Sequence, residues 1–224
     1  MTSNLKKAGL IAVAALLSVS GAASAYIAVG GGPCNVGPNG PVPPNCTYRT
    51  PAQIHAQGLQ NQIDLGASHQ GFVNQTTTQG GIYHGEVERF DSTLVLQIEG
   101  VNELKGVNAT VTLPAACETH IRPRDAKADF QRFDTMMYDL QGVTSDENFE
   151  SVKIVAGLAN GLPSPGSTTM TRNREGGFLV NSSFQMNFRI ELVGRAGGPF
   201  DGVVISEEGV ATVTAYANGP TAAK

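Results

Sequence analysis

Four histidines, His55, His69, His84 and His120, are the side chains best suited to acid–base or metal chemistry near neutral pH. Only His120 stands in a dense polar setting, with Glu118, Arg122, Arg124 and Asp125 close to it in the chain. Residues two apart on a strand share a face, so Glu118 and His120 could together hold a metal ion or shuttle a proton. Cys117 would point to the other face, which breaks up a Cys/His zinc site built from that strand alone. The plain alternative is a surface cluster of ion pairs and hydrogen bonds. A catalytic reading adds one more acid, Asp134. Glu118, His120 and Asp134 are therefore the catalytic candidates, and Glu118 and His120 the metal candidates.

Other chemistries are excluded by what the sequence lacks. It has no Gly-x-Ser-x-Gly elbow, no His-Glu-x-x-His, no phosphate-binding glycine loop and no Cys-x-x-Cys pair. Asp91-Ser92-Thr93 and Asp134-Thr135-Met136 lack the glycine of an aspartic-protease strand end. The compact acidic run Ser145-Asp146-Glu147-Asn148 lacks the alternating oxygen ligands of a calcium loop and reads as a solvated turn. With no Trp, nine Phe and five Tyr, few rings are left over for a carbohydrate platform. No cofactor is expected.

The N-terminus has the layout of a secretory signal. Lys6 and Lys7 precede an apolar core from Leu10 to Val19, and Ala23-Ser24-Ala25 supplies the small residues that a signal peptidase requires. The core is too short for a membrane span, which takes roughly 20 apolar residues. Cleavage after Ala25 leaves 199 of the 224 residues, enough for one large domain or two small ones. Basic residues then fall from 15 to 13 against 19 acidic ones, a net charge of about −6. Nucleic acid is a poor partner for that balance, since Asp125 and Asp129 interrupt the nearest basic cluster, Arg122, Arg124 and Lys127. The expected location is secreted or periplasmic, with no membrane anchor after cleavage.

Outside the cytoplasm disulfides persist. Cys34 and Cys46 flank a short Pro/Gly/Asn-rich loop, and joining them would stabilise the fold by about 3 kcal/mol on the chain-entropy account. Cys117 is then left over, as a buried thiol or an intermolecular partner.

These side chains need a scaffold, and the hydropathy pattern describes one. Residues 26–51 are punctuated by Gly30-Gly31-Gly32-Pro33, Gly37-Pro38, Gly40-Pro41 and Pro43-Pro44, which exclude a helix or a central strand. Pro51 to Leu65 has helical spacing through Ile54, Leu59, Ile63 and Leu65, weakened by Gly58, so a short helix or none is expected there. Residues 66–81, rich in Gly, Gln, Thr and Asn, read as a loop. From about residue 82 the period is two. Met186, Phe188, Ile190 and Leu192 alternate with polar neighbours, as do Val107, Ala109, Val111 and Leu113, and Leu94, Leu96 and Ile98. Further strands are expected over 135–143, 150–157, 166–172, 177–183 and 209–216. Many short strands with turn clusters between them point to an all-β fold, an antiparallel β-sandwich or barrel with an irregular Gly/Pro-rich N-terminal arm. The expected organisation is a signal peptide over 1–25, arm and loop over 26–81, a β-sandwich domain over 82–217 and a disordered tail over 218–224.

Arg89-Phe90-Asp91-Ser92 is echoed by Arg132-Phe133-Asp134-Thr135, which suggests two related strand starts, with Phe90 and Phe133 anchored in the core. The runs Cys117-Glu118-Thr119-His120, Phe133-Asp134-Thr135-Met136-Met137, Gly161-Leu162-Pro163-Ser164-Pro165-Gly166 and Val180-Asn181-Ser182-Ser183-Phe184 resemble a family of secreted bacterial proteins, a domain of unknown function. That resemblance covers roughly residues 84–215. It implies export and a β-rich body and brings no catalytic residues. Two functions are expected: a secreted or cell-surface non-catalytic β-domain with a structural or interaction role toward a protein or surface partner, or a secreted hydrolase or metal-dependent enzyme centred on Glu118, His120 and Asp134.

Overall fold

The computed structural model describes residues 34–37, 40–50 and 62–216. The expected signal peptide, the tail over 218–224 and most of the segment with helical spacing lie outside these residues. Ten strands follow in order: β1 (Cys34–Val36), β2 (Thr47–Arg49), β3 (Ile63–Gly80), β4 (Gly85–Gly100), β5 (Asn108–Ile121), β6 (Phe130–Thr144), β7 (Phe149–Ala156), β8 (Ser164–Arg172), β9 (Phe178–Gly194) and β10 (Val204–Tyr216).

All pairings are antiparallel and form one sheet in the order β9-β10-β2-β3-β4-β5-β6-β7, which closes because β7 also pairs with β9. Of the two expected all-β architectures this is the barrel. β7 and β8 share one place in the wall. Both lie between β6 and β9, β7 against Leu140–Thr144 and β8 against Phe130–Met137. The wall thus has eight positions. An interior of that size is just wide enough to be filled by side chains or to hold one small ligand.

Alternation builds the barrel. On β9 Phe184, Met186, Phe188, Ile190 and Leu192 all face inward and are buried. The expected strands 177–183 and 185–192 are one continuous element. β5 contributes Val111, Leu113, Ala115 and Cys117 to the interior, and β4 contributes Phe90, Leu94, Leu96 and Ile98. Phe133 is buried as the echo with Phe90 expected.

The loop expected over residues 66–81 is instead strand β3, paired with β4 from Ile63↔Gly100 to Gly80↔Gly85. Register shifts after Gln70 and Val73 break its alternation, and beyond Phe72 most of its residues are exposed. A strand with a wet outer half and two irregularities shows no period-two signal, although Thr76, Thr77 and Thr78 are β-branched residues that suit a strand.

The interruption between β7 and β8 begins at Gly157. Its φ of 97° belongs to glycine, and a Cβ there would lie 2.6 Å from the Tyr138 carbonyl oxygen. Opposite, β6 carries a bulge at Tyr138, since Glu118 pairs with Asp139 while Thr119 pairs with Met137.

Cys34 and Cys46 form a disulfide, as expected, with Cα atoms 6.2 Å apart, and Cys117 is a buried free thiol. The bond ties β1, which pairs with Phe178–Val180 of β9, to the turn before β2. Val42 in the enclosed loop is fully buried, and Arg124 Nη1 donates to the Gly40 carbonyl at 2.9 Å. The described part of the arm therefore belongs to the core, and against expectation it supplies a central strand, β2, held between β10 and β3 where Thr47–Arg49 is free of Gly and Pro. Among the described residues no helix is long and apolar enough to cross a membrane.

Candidate functional site

On the outer face of β5, Glu118 and His120 meet as their spacing predicts. The bulge at Tyr138 turns that ring over His120, and the two stack with centroids 4.1 Å apart. The Ile82 N–H donates to His120 Nδ1 at 3.2 Å, so Nε2 carries the proton and donates to Glu118 Oε1 at 2.7 Å. The other carboxylate oxygen accepts from Arg89 Nε at 2.7 Å. His120 is only 5% exposed, and both its nitrogens are engaged. Asp134 does not join this group. Its carboxylate accepts from Arg122 Nε at 2.9 Å, in a pair whose side chains are 53% and 61% exposed. Among the described residues no three His, Cys, Asp or Glu side chains are placed to hold a metal ion. The outer pair fits the ion-pair cluster better than a cleft.

The barrel interior holds the more distinctive arrangement. An apolar chamber is walled by residues of seven strands, among them Leu65, Leu96, Leu140, Ile154, Met186 and Phe188. Unfilled space counting the mouth is about 670 Å³, of which about 60 Å³ admits the centre of a water-sized sphere. One water requires roughly 10–15 Å³ by that measure, so the chamber suits a small or slender occupant. None of the lining residues is Asp, Glu, Lys or Arg. Thr50, Ala67, Ser68 and Val213 keep partial exposure and mark the mouth, where β2 ends between β3 and β10.

Polar side chains gather at one end of this space. His69, Tyr48, Met137 and Phe184 belong to the chamber wall. His69 Nε2 lies 2.6 Å from Ser92 Oγ and 3.7 Å from Cys117 Sγ, and Ser92 Oγ donates to the Ala115 carbonyl at 3.3 Å. Ser92 Oγ also lies 3.4 Å from Cys117 Sγ, so His69, Ser92 and Cys117 form one buried hydrogen-bonded group whose proton order follows the His69 tautomer. Around the barrel follow Thr119, whose hydroxyl donates to Met137 Sδ at 3.8 Å, and Thr168, which donates to Ser182 Oγ at 2.9 Å. Two hydroxyls in this layer, those of Tyr48 and Thr135, are buried with no hydrogen-bond partner among the described residues. Phe184 links them. Its ring lies 6.0 Å from that of Tyr48, and a Cβ at Gly166 would fall 2.5 Å from Phe184 Cδ1 and 2.6 Å from Thr135 Oγ1. Only glycine lets the three strands approach so closely.

The electrostatics of the layer disfavour catalysis. Burial pulls His69 down to about 3 and pushes the Cys117 thiol up to about 12. A useful general base titrates near the working pH, and a reactive cysteine needs a lowered pKa. Burial also raises the Tyr48 phenol, opposed in part by the Ser182 hydroxyl, which lies close by without reaching hydrogen-bond geometry and is held by Thr168. His69 and Ser92 resemble a nucleophile and base only in distance. Their chemistry is that of neutral hydrogen-bonding groups.

Sequence reasoning passed over His69, Tyr48 and Ser92. His69 lies on the strand read as a loop, and its partners come from β4 and β5, 23 and 48 residues away. The signal at hand was the echo, whose fourth members, Ser92 and Thr135, are both buried interior hydroxyls. Comparison with known protein families, curated proteins and solved structures finds no match to this chain.

Proposed function

We propose that the protein is an exported, non-catalytic β-barrel that binds a small apolar molecule in its interior and acts as a carrier or receptor for it outside the cytoplasm. The observation that carries this reading is the chamber, lined mostly by apolar side chains and without a charged lining residue among those described. Pockets for small molecules are concave, mostly apolar and equipped with a few convergent polar groups, and this interior has those features. The disulfide supports the location, since it holds the loop with Val42 and Pro43 against the chamber in an oxidising compartment. N-terminal sequencing of the exported chain is expected to begin at Tyr26, and a mature chain that begins at Met1 would contradict export.

The binding itself is tested with a neutral fluorescent probe, N-phenyl-1-naphthylamine, added to the disulfide-bonded mature chain. Emission should rise and saturate at one probe per chain. Ala211→Leu and Ala156→Leu each add bulk to the chamber wall and should abolish the rise while the chain still unfolds cooperatively in urea. Undiminished binding in both folded variants would place the probe elsewhere and defeat the proposal.

A further inference from the structure

We infer that the chamber selects an uncharged amphiphile, a slender apolar chain with one hydroxyl or carbonyl head, seated with the head against the hydroxyl layer at Tyr48 and Thr135. This rests on the binding reading above and adds to it the chemistry of the ligand.

Two observations define the head. Tyr48 is 2% exposed, its ring lines the chamber, and its hydroxyl makes no hydrogen bond among the described residues; the fully buried Thr135 hydroxyl, beside Phe184 and just outside the lining, makes none either. Buried hydroxyls in folded proteins are almost always satisfied, so the Tyr48 hydroxyl left over in the wall of an apolar space, with Thr135 behind it, marks the place of a polar atom from outside the chain. His69 is a further polar member of the wall, with Nε2 committed to Ser92. A hydroxyl head can accept from Tyr48 and donate in turn. A carbonyl head uses the first of these interactions alone.

The charge of the ligand follows from what is missing in the wall. No Lys or Arg lines the chamber, and burial holds His69 neutral. Arg124 is committed to Glu86 and to the Gly40 carbonyl, and the nearby Glu88 is a buried acid whose carboxyl is pushed up by burial. A carboxylate head would enter a low-dielectric space with no cation to meet it and a buried acid at the barrel's far end. An ammonium head would also find no carboxylate in the lining.

The test uses matched chains, 1-octanol and octanoate, competing with N-phenyl-1-naphthylamine at about pH 8, where the acid is ionised. Octanol should displace the probe, and octanoate should compete at least about 30-fold more weakly. Tyr48→Phe keeps the ring and removes the hydroxyl. It should weaken octanol by about 3- to 10-fold and leave the probe's own affinity within about twofold. Thr135→Val gives a second, independent loss at the same end. Equal competition by octanoate, or unchanged octanol affinity in both folded variants, overturns the head preference while the apolar site stands. Failure of the probe to bind at all overturns both.

Discussion

The outer face of β5 and the barrel interior each hold a histidine with a hydrogen-bonding partner, and the two differ in every respect that matters for function. Outside, His120 is held by an N–H, a carboxylate and a stacked ring, and the neighbouring Glu118 is shared with Arg89. Nothing there is left over. Inside, His69 shares its layer with Tyr48 and Thr135, whose hydroxyls have no hydrogen-bond partner among the described residues, and it borders an unfilled, mostly apolar space. A polar cluster that closes on itself stabilises a fold, whereas one left open inside a cavity offers something to a ligand. Residue type alone does not separate the two. Satisfaction does.

The contrast can be broken first at the interior wall. Phe188→Ala removes a buried ring that packs over Gly209 and lines the chamber, and should cost about 3–5 kcal/mol in urea unfolding. Removing the disulfide by Cys34→Ser with Cys46→Ser should cost about 2–4 kcal/mol and loosen the loop carrying Val42 and Pro43. Its readout is the same urea midpoint together with a weaker probe affinity. A wild-type affinity in the reduced chain would show that the loop does not shape the chamber.

Acid sharpens the comparison between the two histidines. The folded-state pKa of His69 is lowered from 6.5 to about 3, so the unfolded chain binds a proton that the folded chain refuses between those values. The stability that depends on a neutral His69 is complete above about pH 6.5 and is lost progressively as pH falls toward about 3. Glu88 opposes this, because burial raises its pKa, and its contribution declines as pH rises above the ordinary carboxylate range. His69→Gln should flatten the acid limb of the stability profile, and Glu88→Gln should steepen it. An acid limb left unchanged by His69→Gln would show that burial does not hold the inner histidine neutral.

The smallest effects belong to the outer face. Arg189→Ala breaks an exposed pair with Glu208, and Asp134→Asn breaks the exposed pair with Arg122. Each should move the urea midpoint by less than about 1 kcal/mol and leave probe binding unchanged. A loss of binding in Asp134→Asn would return attention to the outer candidates.

Much of the scaffold was legible because burial on one face writes itself as alternation. β9, β4 and β5 were readable from Met186 to Leu192, from Leu94 to Ile98 and from Val107 to Leu113. β3 was not, since its bulges reset the period and its outer half is wet on both sides. The Glu118–His120 pair was legible because it lies within one strand, where spacing alone decides geometry. His69, Ser92 and Cys117 converge from three strands, and their meeting depends on a register that no local pattern carries. The unpartnered state of Tyr48 and Thr135 is a property of the closed barrel and has no trace in the chain.

The most direct measurement is methyl NMR of the labelled mature chain titrated with 1-octanol. Shifts that saturate at one equivalent and are confined to Met137, Met186, Leu96, Leu140 and Ile154, all in the chamber wall, are predicted. Perturbations that leave these methyls unmoved and gather on outward-facing residues such as Val143, Val204 and Val210 would contradict an interior binding site.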